Sequence, residues 1–185
     1  MASKTPETGL AELIPCTVGD GNHFFMRGAS AATRALERIV ANIAPTDIPV
    51  LLVGESGTGK EVLALQIHRL SRRRNEPFIK MSCAALTPEF FNGWNQGSEG
   101  GEVTNIGSRR GTVFLDEISE LDPACQPKLL YALPDGDAVP QERCLGARVI
   151  CATGRNLEAE ILAGRFREEL YFRINGVCLR LPPLR

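Results

Sequence analysis

The residues best suited to do chemistry form a glycine-rich turn between an apolar run and a segment of helical character. We call this turn the phosphate loop; it consists of Gly54, Glu55, Ser56, Gly57, Thr58, Gly59, Lys60 and Glu61. Glycines let the backbone N–H groups of such a turn point inward, and the N-terminus of the following helix adds partial positive charge. Lys60 supplies a point charge for terminal phosphates. The alternative is a strand-to-helix turn that is glycine-rich by coincidence. We predict a nucleotide site, with Lys60 facing solvent.

Two carboxylates form the second half of the predicted site. Asp116 and Glu117 follow an apolar run, and ligands of open α/β sheets bind where the strands end. We predict that Asp116 holds magnesium and that Glu117 orients and deprotonates the water that attacks the γ-phosphate. The position after the lysine normally carries Ser or Thr, whose hydroxyl contacts the metal. Because Glu61 stands there, other carboxylates and water must hold the magnesium ion.

Apolar strands alternate with helical segments along the chain, and this order determines the fold class. We expect strands near residues 49–53, 78–81, 112–116, 147–152 and 177–181. We expect helices near residues 31–43, 61–70, 87–91, 122–133 and 156–163. The second helix is predicted to bury Val62, Leu63, Leu65, Gln66 and Leu70. Continuously apolar strands indicate a parallel sheet covered on both faces. We therefore predict an α/β, P-loop NTPase-type three-layer sandwich with a parallel five-stranded sheet.

Length and composition agree with a single folded domain. The chain has 185 residues, 43% of them hydrophobic and 23% charged, which is enough for a sizeable core. We expect a mobile N-terminal arm over residues 1–22 and one domain over residues 23–185. The net charge of −1 gives no general attraction to nucleic acid or membranes. No apolar run approaches the roughly 20 residues that span a bilayer. The six cysteines show no CxxC spacing, and four lie in apolar or helical stretches typical of buried reduced thiols. We predict a cytoplasmic location.

Five motifs together resemble the AAA+ ATPase module of sigma-54-dependent bacterial enhancer-binding proteins of the NtrC type. They are residues 54–61, 83–86, 111–118, 164–171 and 181–185, and the resemblance runs from about Gly28 to Arg185. It implies a domain that binds ATP and Mg²⁺ and assembles with other subunits into a ring. It further implies that the ring remodels the sigma-54 RNA polymerase complex. Within that family a glutamate at the position of Glu61 is usual.

The resemblance also assigns a role to two arginines. Arg167 and Arg173 match the family's arginine-finger positions, from which a side chain reaches into the neighbouring subunit's site. Such fingers contribute about 10³ to 10⁵ in rate. The alternative is that both are surface arginines of an ordinary helix.

Several positions depart from the family pattern. Residues 92–104 replace the Gly-Ala-Phe-Thr-Gly-Ala loop that grips sigma-54, and the insertion after residues 135–137 looks shortened. Ser82 replaces an asparagine that couples to the catalytic glutamate, and Gly154 replaces the sensor asparagine. At residues 181–185 the chain stops where the helical lid should begin. We therefore expect an AAA+ core without the lid, and no DNA-binding domain in this chain.

These observations lead to one main expectation and two rivals. The main expectation is an ATP-binding AAA+ domain of a sigma-54-dependent transcriptional regulator with impaired hydrolysis, which does not open sigma-54 promoters alone. The first rival is a non-catalytic interaction protein that binds nucleotide and modulates rings of intact relatives. The second is a fragment without a function of its own. ATP turnover separates the main expectation from both rivals.

Overall fold

Five parallel strands form the centre of the molecule, as the sequence predicts. The computed structural model describes residues 11–14, 31–94, 111–133 and 146–182. Its strands are β1 (Ala11–Ile14), β2 (Val50–Val53), β3 (Phe78–Ser82), β4 (Thr112–Asp116), β5 (Arg148–Thr153) and β6 (Val177–Arg180). They form one sheet in the order β1-β3-β4-β5-β2-β6. All neighbours from β3 to β6 pair in parallel, so β2 and β4 both end at the same edge of the sheet.

The first strand corrects part of the prediction for the N-terminal arm. Residues Ala11–Ile14, expected to be mobile, pair antiparallel with β3, with Ala11 opposite Met81 and Ile14 opposite Phe78. The rest of the arm, residues 1–10 and 15–22, lies outside the described residues. The edge of β3 has backbone N–H and C=O groups that a further strand can pair with. Because this pairing uses only the backbone, a strand can form there without the side-chain periodicity by which strands are predicted. Four residues are also too few to show an alternating pattern.

Helices cover both faces of the sheet. They are α1 (Ala31–Ile43), α2 (Lys60–Arg69), α3 (Pro88–Trp94), α4 (Gln126–Ala132), α5 (Leu157–Leu162) and α6 (Glu168–Ile174). α1 and α2 share one core cluster with inward residues of the sheet, and α3 to α6 share the other. Asn156 caps α5 as predicted, since its side chain accepts hydrogen bonds from the backbone N–H groups of Glu158 and Ala159. The three-layer sandwich is confirmed.

The buried face of α2 differs from the predicted one. Lys60, Leu63, Ala64, Ile67 and His68 are buried, a stripe with helical spacing. Two residues expected in the core are exposed instead, Val62 at 42% and Leu70 at 37%. The phosphate loop determines this rotation, because it delivers Lys60 facing the sheet as the first residue of the helix.

A buried histidine makes the stability of the fold depend on pH. His68 is fully buried on the Phe78 ring, and its Nδ1 lies 2.9 Å from the Thr112 hydroxyl. Burial lowers the pKa of His68 from 6.5 to about 4, and the positive charge of Arg148 acts in the same direction. The unfolded chain therefore takes up a proton near pH 6.5, while the native chain stays neutral down to about pH 4. The free energy of unfolding falls as the pH drops through this window, by about 2 kcal/mol between pH 7 and pH 5.

We expect His68→Gln to remove most of this pH dependence, because glutamine does not titrate. Urea unfolding of the wild type and the variant at pH 7 and pH 5 measures the difference. The second histidine of the chain, His23, is present in both proteins and serves as an internal control. An equal loss of stability in both proteins would contradict the assignment to His68.

Candidate nucleotide-binding site

The phosphate loop has the backbone that its glycines predict. Gly57 and Gly59 have φ angles of 81° and 87°, in the left-handed region that favours glycine. At Gly54 a Cβ would come within 2.8 Å of the Thr58 hydroxyl, so this position also requires glycine. The Thr58 hydroxyl donates to the Glu55 carbonyl at 2.8 Å and closes the turn. The loop leads from β2 into α2, whose N-terminus therefore adjoins it.

Lys60 joins the phosphate loop to the end of β4. Its ammonium donates to the carbonyls of Gly54 at 2.8 Å and Glu55 at 3.2 Å. The same nitrogen lies 3.3 Å from Oε1 of Glu117. The prediction that Lys60 faces solvent is wrong, since only 7% of it is exposed. The cause is the phosphate loop, which begins α2 with this residue facing the sheet.

Glu117 connects three parts of the site. Its backbone is left-handed, with φ of 51° and ψ of 60°, an uncommon conformation for a residue other than glycine. One carboxylate oxygen contacts Lys60, and the other accepts a hydrogen bond from the backbone N–H of Gly154 at 2.9 Å. The side chain thus links the end of β4 to the phosphate loop and to the residue after β5. The structure places the predicted base beside the predicted phosphate-binding lysine.

Asp116 and Glu61 share a cation that sequence reasoning missed. Nζ of Lys80 lies 2.7 Å from Oε2 of Glu61 and 3.8 Å from Oδ2 of Asp116. Burial raises the pKa of Asp116, while the positive charge of Lys80 acts in the opposite direction. A signal for Lys80 was present, because it is the one charged residue in the apolar run 78–81.

The structure has space for a side chain at Gly154, beside the Glu117 carboxylate. A Cβ on Gly154 would lie 3.6 Å from the Gly54 carbonyl and 3.8 Å from both carboxylate oxygens of Glu117, which is ordinary van der Waals contact. The preceding Thr153 is fully buried, and its hydroxyl donates to Ser119 at 3.1 Å. Ser82, the other departure from the family pattern, pairs with Asp116 across β3 and β4 and is exposed.

Of the two predicted arginine fingers, Arg167 is the N-cap of α6 and Arg173 lies in its last turn, and both contact α4 or the residue after it. The backbone N–H of Arg167 donates to the Gln126 side chain at 2.8 Å, and the Arg167 side chain is exposed. Arg173 is half-buried in the last turn of α6, and its guanidinium donates to the Leu133 carbonyl at 3.3 Å. Their predicted role in a neighbouring subunit's site stays a prediction.

A cavity of about 340 Å³ adjoins the phosphate loop. Gly54, Glu55 and Gly154 line it together with the side of β6 on which Cys178 and Arg180 are exposed. Lys60 and Asp116 are not part of its lining, so the cavity shares only the first residues of the phosphate loop with the predicted nucleotide site. Three other cysteines, Cys83, Cys125 and Cys151, are buried and free as predicted. Cys178 is exposed instead, on the side of β6 that borders the cavity.

The site fits a metal that arrives together with phosphate. Asp116 ends β4 beside the phosphate loop, and a half-buried carboxylate is a ligand that Mg²⁺ prefers. Within the described ranges, no group of three or more acidic, histidine or cysteine side chains could hold a metal ion. Mg²⁺ commonly takes only one or two carboxylates from the protein and completes its shell with water and substrate phosphates.

Three of the predicted departures lie largely outside the described residues. Of the residues 92–104, only 92–94 are described, as the end of α3. The region after residues 135–137 and residues 183–185 are not described. Among the helices that the structure does describe, none has the length and apolar character needed to cross a membrane.

The sheet, the phosphate loop and the carboxylates at the end of β4 define a P-loop NTPase of the α/β class, and comparison with known proteins narrows the class to a family. Residues 26–180 match the sigma-54 interaction domain. The chain therefore belongs to the sigma-54 interaction domain family.

Individual relatives agree with this assignment. The chain is 45% identical over 174 residues to a Nif-specific regulatory protein of Sinorhizobium fredii, covering 85% of this chain and 29% of that protein. It is 39% identical over 184 residues to the transcriptional regulatory protein ZraR of Klebsiella oxytoca, covering 92% of this chain and 42% of that protein. The structure of NtrX from Brucella abortus in complex with ATP aligns with a TM-score of 0.69 and 32% identity, over 84% of this chain and 36% of that one. The chain thus spans less than half the length of these three proteins.

Proposed function

We propose that this domain binds Mg²⁺–ATP on the phosphate loop and hydrolyses it slowly. The observation that carries the proposal is the position of Lys60, whose ammonium contacts both the loop carbonyls and the Glu117 carboxylate. A phosphate-binding charge and a candidate base, distant in sequence, thus meet at one edge of the sheet. The ATP complex of the similar NtrX domain supports the choice of ligand.

Each residue then has a definite task. Lys60 exchanges its contacts with the loop carbonyls for the terminal phosphates, and the loop N–H groups bind the remaining phosphate oxygens. Asp116 would hold Mg²⁺, which when bound neutralises charge on the phosphate oxygens. Glu117, released from Lys60, accepts a proton from the attacking water at its Oε1.

The slow rate follows from the surroundings of Glu117. One of its carboxylate oxygens accepts a hydrogen bond from the backbone N–H of Gly154, a residue without a side chain. Gly154 contributes only its backbone there, so position 154 supplies no side-chain amide to position the γ-phosphate or the water. Loss of one such preorganised donor costs about 10² to 10³ in rate.

We expect Gly154→Asn to raise ATP turnover by about 10² to 10³ with little change in ATP affinity. A Cβ at position 154 makes only ordinary van der Waals contacts with Gly54 and Glu117, so the position accepts a side chain at its first atom. Steady-state phosphate release at saturating Mg²⁺–ATP measures the effect. Gly154→Ala is the matched control, because it adds the Cβ without the amide. Equal turnover in the alanine and asparagine variants would contradict the explanation.

We also propose that the domain acts in a ring, with Arg167 as the residue offered to the neighbouring subunit. The Arg167 side chain is exposed at the N-cap of α6, where it is free to meet another subunit's surface. Arg173 instead donates to the Leu133 carbonyl and helps to hold α6 in place. The ring's partner in this proposal is the sigma-54 RNA polymerase.

The glycine at position 154 also favours a second candidate function, because this position supplies no side-chain amide beside Glu117. A domain that binds ATP without turnover could join rings of intact relatives and modulate them. The Gly154→Asn experiment separates the two candidates, because a non-catalytic subunit lacking other parts of the machinery gains no turnover from one amide. If the wild type and Gly154→Asn bind ATP equally and neither hydrolyses it, the result would favour the non-catalytic subunit that modulates rings.

A further inference from the structure

Lys80 occupies an unusual position for a lysine. It lies in the middle of β3, a strand whose neighbouring side chains Ile79 and Met81 are buried, and its side chain is only 24% exposed. Side chains alternate along a strand, so Lys80 points to the face of the sheet that α2 covers, like its cross-strand partner Phe114. A strand interior there would normally carry an apolar residue.

The ammonium of Lys80 lies between two carboxylates from different elements. Glu61, in the first turn of α2, is 2.7 Å away, and Asp116, at the end of β4, is 3.8 Å away. Glu61 occupies the position whose hydroxyl contacts the metal in the general P-loop pattern, and Asp116 is the predicted metal ligand. The lysine charge is therefore placed among the groups that would otherwise attract a divalent cation.

We propose that Lys80 is a positioning residue that acts as an internal cation and makes divalent metal binding depend on nucleotide. This inference rests on the proposed function of the same site. In the nucleotide-free protein, Lys80 neutralises the Glu61 carboxylate and repels a metal ion from Asp116. A bound triphosphate would add enough negative charge for Mg²⁺ to bind despite Lys80. Because Lys80 lies closer to Glu61 than to Asp116, its salt bridge with Glu61 would then hold its ammonium away from Asp116.

Electrostatics sets the size of the expected effect. A fixed cation about 4 Å from a metal position weakens binding of a divalent ion by roughly tenfold or more, even with the screening of bulk water. Removing it leaves two carboxylates within reach of one ion, which is the protein contribution that Mg²⁺ and Mn²⁺ commonly receive.

The test measures Mn²⁺ alone, without nucleotide. We expect Lys80→Met to bind Mn²⁺ at least about tenfold more tightly than the wild type. The readout is the loss of the sharp electron paramagnetic resonance spectrum of free aqueous Mn²⁺ on titration with protein. Lys80→Arg, which keeps the charge, should behave as the wild type. Adding Glu61→Gln to Lys80→Met should reverse the gain.

Two results would overturn the inference. One is equal Mn²⁺ affinity in the wild type and Lys80→Met, and the other is an equal gain in Lys80→Arg, which would assign the effect to packing rather than charge. Should Lys80→Met fail to fold by circular dichroism, Lys80→Gln carries the same expectation. Binding of a fluorescent ATP analogue to the wild type in Mg²⁺ is measured in parallel. Absence of ATP-analogue binding would count against the proposed function. The Mn²⁺ comparison, made without nucleotide, tests the role of Lys80 independently.

Discussion

Replacing Lys60 with alanine is expected to weaken ATP binding by at least about 100-fold. Lys60 is 7% exposed and its ammonium already contacts the phosphate loop, so its charge meets the phosphates in a partly desolvated site. Truncating one partner of such a charge pair costs about 2–5 kcal/mol. Isothermal titration calorimetry with Mg²⁺–ATP measures the affinity of both proteins.

A lysine elsewhere on the domain provides the matched control for this experiment. Lys128 on α4 also donates to a backbone carbonyl, that of Pro88 at 2.9 Å, and Lys128→Ala should leave ATP affinity unchanged. Because Lys60 is buried and donates to two loop carbonyls, circular dichroism first establishes that the Lys60→Ala variant is folded. A folded Lys60→Ala variant with wild-type affinity would remove the lysine from the site.

Replacing Glu117 with glutamine is expected to lower ATP turnover by about 10² to 10⁴ while preserving ATP binding. Glutamine keeps the shape of the side chain and an oxygen that can accept from the Gly154 N–H, but it cannot take a proton from water. The comparison is made in the Gly154→Asn background, where higher turnover gives a wider range for the measurement.

The control for Glu117 is a glutamate of the same short segment. Glu120 pairs with Arg155 at 3.3 Å on the surface, and Glu120→Gln should leave turnover within a few-fold of its parent. A Glu117→Gln variant that retains the turnover of its parent would show that another group activates the water. Loss of ATP binding in that variant would instead mean that Glu117 holds Lys60 in its binding position.

The parts of the site that could be predicted from the sequence are those whose geometry is local. The phosphate loop is a continuous segment, and its glycines and lysine imply a turn between a strand and a helix whatever surrounds it. The carboxylates Asp116 and Glu117 follow an apolar strand, and parallel strands end together, so their place beside Lys60 followed from the alternation of strands and helices. The bounds of α1 also agreed with the prediction, because its apolar residues recur with helical spacing.

The parts that could not be predicted depend on contacts between distant segments. The salt bridge of Lys80 to Glu61 joins β3 to α2, and neither residue signals the other in the sequence. The rotation of α2 was mistaken because Val62 and Leu70 are apolar although they face outward. Likewise, glycine at position 154 indicated a missing side chain, but not that its backbone N–H would hold Glu117.

The most direct test of the central claim is an equilibrium titration of the wild-type domain with a fluorescent ATP analogue in the presence of Mg²⁺. The phosphate loop, Lys60 and Asp116 together predict saturable binding with one nucleotide per chain, displaced by unlabelled ATP. A wild-type protein that is folded by circular dichroism and shows no saturable binding at millimolar nucleotide would contradict the claim that this edge of the sheet is a nucleotide site.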